Sequence, residues 1–263
     1  MAIIDIFTYN GEKEVLKLHL NIVDPYVDRF IIVEANQTFT GQPKPLHFFQ
    51  QQRYFKPFWR KITYYVINQW EDKALWDIAR NSPNTKGANH WKQEFYIKEN
   101  IQKALKGSGV QDDDLVFVGD VDEIWEGSES GEEVTYPAKL KLDVYAYYLN
   151  NRSNEEFYGT YVNTYKDFKD KILNHERSRK DIRTKETHGW HFTSMGGLKE
   201  VQRKLDNSYT AESYNTTEVQ SLLPQRHKQG IDYLGRNFQF NLDEKDWPTF
   251  LKENKKQFEH LCK

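Results

Sequence analysis

Short apolar runs alternate with amphipathic segments through the first half of the chain, and this alternation limits the folds open to it. Strand-like runs cover residues 3–7, 29–35, 61–67 and 115–120. Helix-spaced apolar residues occupy 12–23 and 90–105. Strands separated by helices pair in parallel through right-handed crossovers, with helices on both faces of the sheet. The pattern predicts an α/β fold with a mostly parallel central sheet, whose ligands bind beyond the carboxyl ends of the strands.

The second half of the chain has a different pattern. Tyrosines alternate with small or polar residues in "LDVYAYYL" and "EFYGTYVNTY", which predicts antiparallel strands flanking the sheet. The charged stretch 167–188 is typical of a loop with a solvated helix. Further helices are predicted over 197–205, from Thr216 up to Pro224, and over 247–261, so that the C-terminal part is helical. Without an internal repeat or a flexible linker, residues 1–263 are predicted to form one domain.

Composition excludes several classes of protein. The 263 residues carry a net charge of −2, which argues against nucleic acid as the main partner. No apolar run approaches the length of a transmembrane segment. Cys262 is the single cysteine, so no disulfide can form within the chain. The N-terminus lacks the features of a signal peptide, and we expect a cytoplasmic protein. The oligomeric state cannot be read from the sequence.

Three carboxylates follow the most uniformly apolar of the strand-like runs. In "LVFVGDVDEIW" the run ends at Gly119, and Asp120, Asp122 and Glu123 come next. Carboxylates at this spacing can converge on a hard cation, and the cation can bind a diphosphate. Acidic triplets also occur in solvated surface loops, but the position directly after a buried strand favours a ligand site. We therefore consider all three as candidate metal ligands, and Asp120 also as a nucleotide contact.

Two other segments carry candidate ligands. In "THGWHFTSMGG", His191 could bind a borderline cation such as manganese, although a structural hydrogen bond is the alternative. The glycine pair 196–197 precedes a predicted helix, whose N-terminus could then face a diphosphate. Glu34 ends a predicted strand, and Lys44 in "TGQPKP" could meet a phosphate, although it could equally be a surface lysine. Phosphate-binding loops and the G-x-G-x-x-G, G-x-S-x-G and H-E-x-x-H motifs do not occur.

Together these segments resemble glycosyltransferase family 17. The resemblance rests on "LHLNIVDPYVDRFIIVEANQTFTGQPKPLHF", "GDVDEIW", "GWHFTSMGGLKEVQRKL" and "WPTFLKENKKQFEHL", which occur in family order and span almost the whole chain. It implies a GT-A-like nucleotide-sugar fold, a divalent metal (Mn²⁺ or Mg²⁺) and a UDP-sugar donor whose sugar is transferred with inversion. The family includes an N-acetylglucosaminyltransferase acting on glycoproteins, so N-acetylglucosamine (GlcNAc) is the sugar that the resemblance suggests.

The resemblance also assigns residues. Asp120, Asp122 and Glu123 match the family's D-x-D-E, and Trp190 and His191 match its G-W-H. The resemblance therefore implies a metal site that includes His191, and it places Trp190 at the nucleotide. It further implies that Glu34 and Asn100 contact the nucleotide. The chain departs from the family pattern at Glu99, where the family has arginine, and at Trp125, where it has proline.

The resemblance thus implies a metal-dependent, inverting glycosyltransferase acting on a nucleotide sugar and a glycan acceptor. Residues 1–125 would bind the nucleotide sugar, and 126–263 the acceptor. A carboxylate must take the proton of the attacking hydroxyl, and Glu155 and Glu156, between tyrosine-rich strands, are the candidates, with surface acids as the alternative reading. Two other functions stay open: a non-catalytic protein that binds carbohydrate or nucleotide sugar, and a metal-dependent nucleotidyl or phosphoryl transferase.

Overall fold

The computed structural model describes residues 1–83, 89–127, 135–208 and 210–263. Within these ranges the protein is a mixed α/β fold around one ten-stranded sheet. The strands are β1 (Ile3–Thr8), β2 (Arg29–Ala35), β3 (Ile62–Ile67), β4 (Leu115–Asp120), β5 (Glu123–Trp125), β6 (Ala138–Ala146), β7 (Asn151–Ser153), β8 (Phe157–Thr164), β9 (Arg183–Thr193) and β10 (Phe240–Leu242). Their order is β10-β7-β6-β8-β4-β1-β2-β3, with β9 pairing β6 and β5.

Helices cover the sheet and connect its strands. They are α1 (Lys13–Val23), α2 (His47–Gln51), α3 (Lys73–Asn81), α4 (Asn89–Gly107), α5 (Tyr165–Phe168), α6 (Leu173–Ser178), α7 (Leu198–Asn207), α8 (Ala211–Tyr214), α9 (Thr217–Gln229), α10 (Thr249–Glu253) and α11 (Lys255–Phe258). The predictions for α1, α4 and α7 are confirmed to within two residues, whereas α3 escaped sequence reasoning.

Strands β1 to β4 form the parallel part of the sheet, as predicted. β1 lies between β2 and β4, and Thr8 at its end is in register with Asp120 at the end of β4. Side chains alternate across the sheet: Ile4 and Ile6 pack in one core cluster with Ile101 of α4, and Phe7 packs in the other with Leu16 of α1. Each large apolar side chain buried in this way contributes roughly 1.5–3 kcal/mol. The carboxyl ends of these strands therefore lie together at one edge.

The second half of the sheet is mainly antiparallel. β8 runs antiparallel to β4, and β6 antiparallel to β8, which confirms the predicted flanking strands. The sheet as a whole is mixed, and the prediction of a mostly parallel sheet holds only for its N-terminal half. The predicted loop around residues 183–188 is part of strand β9, which pairs with β6. Its side chains there are charged and solvent-facing, so they gave no apolar signal, while the backbone pairing does not depend on them.

The C-terminal helices differ from their predictions at two points. α9 continues through Pro224 to a left-handed cap at Gly230. The predicted helix over 247–261 is divided at Asn254 (φ −111°, ψ 21°) into α10, α11 and a final 3₁₀ turn. In the part of the chain that the structure describes, no helix has the length and apolar character needed to cross a lipid bilayer.

Candidate functional site

A cavity of about 410 Å³ lies at the carboxyl ends of β1, β2 and β4. The N-terminal half lines it with Thr8, Ala35, Lys44, Lys98, Asp120, Asp122 and Glu123, among others. The C-terminal half contributes, among others, Tyr147, Glu155, Phe157, His191, Lys204, Asp232, Tyr233 and Arg236. The cavity thus lies where the strand pattern predicts a ligand. It brings together the three carboxylates of the D-x-D-E segment and His191.

Asp120 is held from two sides at the mouth of β4. Thr8 Oγ1 donates to Asp120 Oδ1 at 2.6 Å, and Lys98 Nζ donates to Asp120 Oδ2 at 2.8 Å. Lys98 also lies 3.1 Å from Glu94, one helical turn earlier on α4. Burial opposes ionisation of Asp120, but the charges of Lys98 and Arg177 together outweigh it and lower the pKa of Asp120 to about 2. Asp120 is therefore a fixed negative charge with a cation of its own.

Asp122 carries a second ion pair. Lys204 Nζ, from α7, donates to Asp122 Oδ2 at 2.9 Å and to Thr193 Oγ1 at 2.8 Å. His191 Nε2 lies 3.4 Å from the same carboxylate oxygen. Burial favours the neutral acid, yet Lys204 and His191 together hold the pKa of Asp122 well below its usual range. Asp122 therefore stays ionised in a largely buried position, beside an imidazole.

The pairing of β5 with β9 brings His191 to this place. Glu123 of β5 is in register with His191 of β9, so the loop that carries Asp122 lies against the histidine. The imidazole stacks on Phe157, with ring centroids 4.0 Å apart. His191 Nδ1 is buried and has no hydrogen-bond partner among the described residues. A buried ring nitrogen without a hydrogen-bond partner suits a histidine that contacts a bound ligand.

Glu123 lies deeper than the two aspartates. Its Oε2 accepts from the backbone N–H of Asp120 at 3.3 Å, and Arg177 Nη2 lies 3.8 Å from the same oxygen. Burial, and then the charge of Asp120, raises the pKa of Glu123. The side chain thus stabilises the turn that follows β4, and its affinity for a proton is higher than that of either aspartate.

These residues fit a cation that takes part of its coordination shell from a ligand. Among the described residues, no cluster of three or more His, Cys, Asp or Glu side chains could enclose a metal ion. Asp122 and His191 nevertheless present an oxygen and a nitrogen 3.4 Å apart on the cavity wall. Magnesium sites commonly use one or two carboxylates together with phosphate oxygens instead of a protein cage. The pair is therefore suited to a metal–diphosphate complex.

Glu34 has a structural position behind the cavity wall. It is fully buried, and its carboxylate accepts four hydrogen bonds: from Lys44 Nζ at 2.8 Å, the N–H groups of His47 and Phe48 at 2.7 and 2.9 Å, and the Tyr64 hydroxyl at 2.8 Å. Lys44 lines the cavity, whereas Glu34 does not. Glu34 therefore positions Lys44 and the segment that carries it.

Trp190 and Asn100 lie outside the cavity lining. Successive side chains of a strand point to opposite faces, so Trp190 enters the core where His191 faces the cavity. Its Nε1 donates to the carbonyl of Asp246 at 2.5 Å. Asn100 is buried on α4, and its Nδ2 donates to the carbonyl of Tyr96 at 2.8 Å. Each side chain therefore has a structural partner, and the nucleotide contacts of both residues stay predictions.

The two candidate bases are separated by the fold. Glu155 lines the cavity, and Arg236 Nη1 donates to its Oε1 at 3.3 Å. Glu156 is exposed, outside the cavity lining, and its carboxylate accepts from the Tyr158 hydroxyl at 3.0 Å. Only Glu155 of this pair faces the space where a substrate could lie.

Helix α7 meets the cavity with its other end. The sequence predicts that its N-terminus faces a diphosphate, but that end does not line the cavity, whereas Lys204, Asn207 and Ser208, at its C-terminal end, do. A lysine ammonium on the last turn thus stands where the sequence suggested backbone N–H groups. The change preserves a positive group near Asp122 but moves it to a side chain.

A buried network behind the acidic turn escaped sequence reasoning. His19 of α1 lies 2.7 Å from Asp5 Oδ2 through Nε2, and 2.8 Å from the Val121 carbonyl through Nδ1. A carbonyl oxygen only accepts hydrogen bonds, so Nδ1 carries a proton. The ring thereby fixes Val121, which lies between Asp120 and Asp122. A histidine among the apolar residues of α1 is the signal that could have indicated it.

Comparison with protein families identifies one match. The model for "Glycosyltransferase family 17" matches residues 1–262. A search of curated proteins gave no match for the chain.

Proposed function

Because the chain belongs to glycosyltransferase family 17, we propose that it is a metal-dependent, inverting enzyme that transfers GlcNAc from a UDP-sugar to a glycan acceptor. A glycosyltransferase acts on a sugar donor and an acceptor, and the cavity at the carboxyl ends of β1, β2 and β4 has two groups of walls that suit such a pair. In this proposal the fold is GT-A-like, with residues 1–125 holding the nucleotide sugar and 126–263 the acceptor.

The observation that carries the proposal is the pair of Asp122 and His191 on the wall of this cavity, 3.4 Å apart. Asp122 and His191 would hold Mn²⁺ or Mg²⁺, which neutralises the diphosphate of the donor and makes UDP a better leaving group. Besides Lys98, which is paired with Asp120, Lys44 and Lys204 line the cavity. Their ammonium groups are placed to bind phosphate oxygens by charge-assisted hydrogen bonds.

The remaining chemistry falls to the acceptor side. A hydroxyl of the acceptor forms a bond to the anomeric carbon as the bond from that carbon to the phosphate oxygen breaks, and UDP departs with the electron pair. Glu155 takes the hydroxyl proton. Its hydrogen bond from Arg236 fixes the carboxylate at the cavity wall. Attack from the face opposite the leaving group inverts the anomeric configuration.

The test is an assay of UDP release from UDP-GlcNAc and other UDP-sugars with a panel of glycan acceptors, with Mn²⁺ and with a chelator. We expect metal-dependent release of UDP and a product of inverted configuration by NMR. Release of GlcNAc 1-phosphate, by cleavage of the bond between the two phosphates, would instead indicate a nucleotidyl transferase. UDP binding without turnover on any acceptor would indicate a binding protein.

Glu155 and Glu156 provide a matched pair of variants. Glu155→Gln removes the proposed base and should lower kcat about 10²–10⁴-fold, the usual contribution of general base catalysis, with little change in UDP affinity. Glu156→Gln makes the same chemical change outside the cavity and should leave kcat within about twofold. Equal losses in both variants would contradict the assignment of Glu155.

A further inference from the structure

A second cavity of about 220 Å³ adjoins the first. The two share Glu94, Lys98 and Glu123 in their walls. The wall of the second cavity also includes Trp91, Phe95, Lys139, Tyr158 and Arg177. We call this space the side chamber. It is smaller than the roughly 300–1,000 Å³ of pockets for drug-sized ligands, so it suits a single saccharide unit.

Two cations of the side chamber lack close partners. Arg177 approaches Glu123 only at 3.8 Å, and its guanidinium makes no hydrogen bond to a described residue. The Lys139 ammonium makes neither a hydrogen bond nor an ion pair within the described residues. Burial, and then the charge of Arg177, lowers the pKa of Lys139 to about 8. Both cations have free hydrogen-bond donors in a half-buried space, so a bound anion would stabilise them.

The acids of the side chamber do little to offset these cations. Lys98 is already satisfied by Asp120 at 2.8 Å and Glu94 at 3.1 Å. Glu94 is engaged by Lys98, and Glu123 approaches Arg177 no closer than 3.8 Å. The donors of Lys139 and Arg177 therefore remain available to a negatively charged ligand.

Aromatic rings form the rest of the wall. Trp91, Phe95 and Tyr158 line the side chamber, and the guanidinium of Arg183 lies 4.4 Å over the Tyr158 ring. Arg177 and Arg183 belong to the charged stretch 167–188, to which the proposed transfer reaction gives no role. Aromatic faces contact the apolar face of a sugar ring, while arginine binds carboxylate or phosphate in a bidentate way.

We propose that the side chamber binds an acidic saccharide, a sugar carrying a carboxylate or phosphate, as part of the acceptor. The site would place an acidic unit of the acceptor next to the donor cavity, through the wall that the two spaces share. The inference rests on the proposed function only where it identifies the bound saccharide as part of the acceptor. The binding itself does not depend on catalysis.

The experiment measures the affinity of the whole protein for glucuronic acid, glucose 6-phosphate, glucose and inorganic phosphate by calorimetry, in the absence of divalent metal. We expect at least one acidic sugar to bind at least about tenfold more tightly than both glucose and inorganic phosphate, the result of a charge-assisted contact combined with ring stacking. Preference for glucuronic acid or for glucose 6-phosphate would identify carboxylate or phosphate as the acidic group.

Lys139→Met and Arg177→Met locate the site. Each variant keeps the apolar stem of the side chain and should weaken binding of the preferred acidic sugar at least about tenfold. Lys256→Met makes the same charge change at an exposed residue of helix α11 and should not weaken it. Thermal unfolding checks that the variants fold. Glucose or inorganic phosphate bound as tightly as both acidic sugars, or acidic-sugar affinity unchanged in both chamber variants, would overturn the inference.

A UDP titration of the same proteins separates this inference from the proposed function. UDP binding without acidic-sugar binding would remove the side chamber proposal alone. Acidic-sugar binding without UDP binding would contradict the transferase and leave the side chamber as an acidic-saccharide site.

Discussion

At the scale of single residues, the acidic turn is a set of ion pairs rather than a free negative cluster. Asp120 is paired with Lys98, and Asp122 with Lys204. Both pairs are only partly buried, so removing one partner costs less than the roughly 3–5 kcal/mol of a fully buried pair, because water can reach the remaining charge. The two lysines hold the carboxylates in place.

Asp122→Asn should abolish metal-dependent UDP binding, because a neutral amide is a much weaker ligand for a hard cation. It should also lower the free energy of unfolding by about 1–3 kcal/mol, since Lys204, whose side chain is 34% exposed, loses its charged partner. Urea denaturation and UDP titration with Mn²⁺ measure the two effects. Adding Lys204→Met should restore the stability but not the binding. UDP affinity within twofold of the wild type in Asp122→Asn would refute the role of this carboxylate.

Lys139 makes the free energy of unfolding depend on pH in the alkaline range. Burial and Arg177 lower its pKa from 10.5 to about 8 in the folded protein. Between about pH 8 and 10.5 the unfolded chain therefore binds more protons at this residue, so the free energy of unfolding should rise with pH in that window. Lys139→Met should be more stable than the wild type below pH 8, by an amount that shrinks as pH rises. Denaturation curves from pH 7 to 10.5 measure this, and a constant difference would contradict it; Lys256→Met serves as the control.

At the scale of secondary structure, the short strand β5 determines whether the site forms. It pairs with β9 so that Trp125 faces Gly189 and Glu123 faces His191. Gly189 has φ +140°, and a Cβ at this position would lie 2.3 Å from the Ile124 carbonyl oxygen. The pairing that brings His191 to Asp122 therefore requires glycine at residue 189.

Gly189→Ala should destabilise the protein by more than about 3 kcal/mol, because both the backbone conformation and the close contact oppose a side chain. Gly107→Ala is the matched control, since a Cβ there meets no atom within 4 Å and the residue ends helix α4. It should be neutral or stabilising by up to about 1 kcal/mol. Urea denaturation of the two variants tests the difference. A Gly189→Ala protein as stable as Gly107→Ala would mean that β5 and β9 do not pair tightly.

The elements also show what sequence reasoning reaches. β2 and β4 have their predicted bounds because their apolar runs are local signals. The pairing of β5 with β9 is non-local, so no window of sequence contains it. If "GWHF" is a strand, alternation alone puts Trp190 and His191 on opposite faces, and the core position of Trp190 was accessible to that argument. The partners of Lys98 and Lys204 were not accessible, because they depend on how α4 and α7 pack against the sheet.

At the scale of the whole molecule, one sheet joins two kinds of wall around the cavity. The parallel strands supply Thr8 and Asp120, and the mainly antiparallel half supplies His191 and Glu155. In the proposed reaction the first group holds the donor and the second completes the metal site and receives the acceptor. The net charge of −2 hides this arrangement, because the lysines and carboxylates of the site offset one another.

In the proposed function, this cavity binds a nucleoside diphosphate through a divalent cation held by Asp122 and His191. The most direct test is a calorimetric titration of the wild-type protein with UDP, once with Mn²⁺ and once with excess chelator. We expect UDP to bind at least about tenfold more tightly with Mn²⁺, since the cation offsets the charge of the diphosphate beside two carboxylates. Equal UDP affinity under both conditions, or no UDP binding under either, would contradict it.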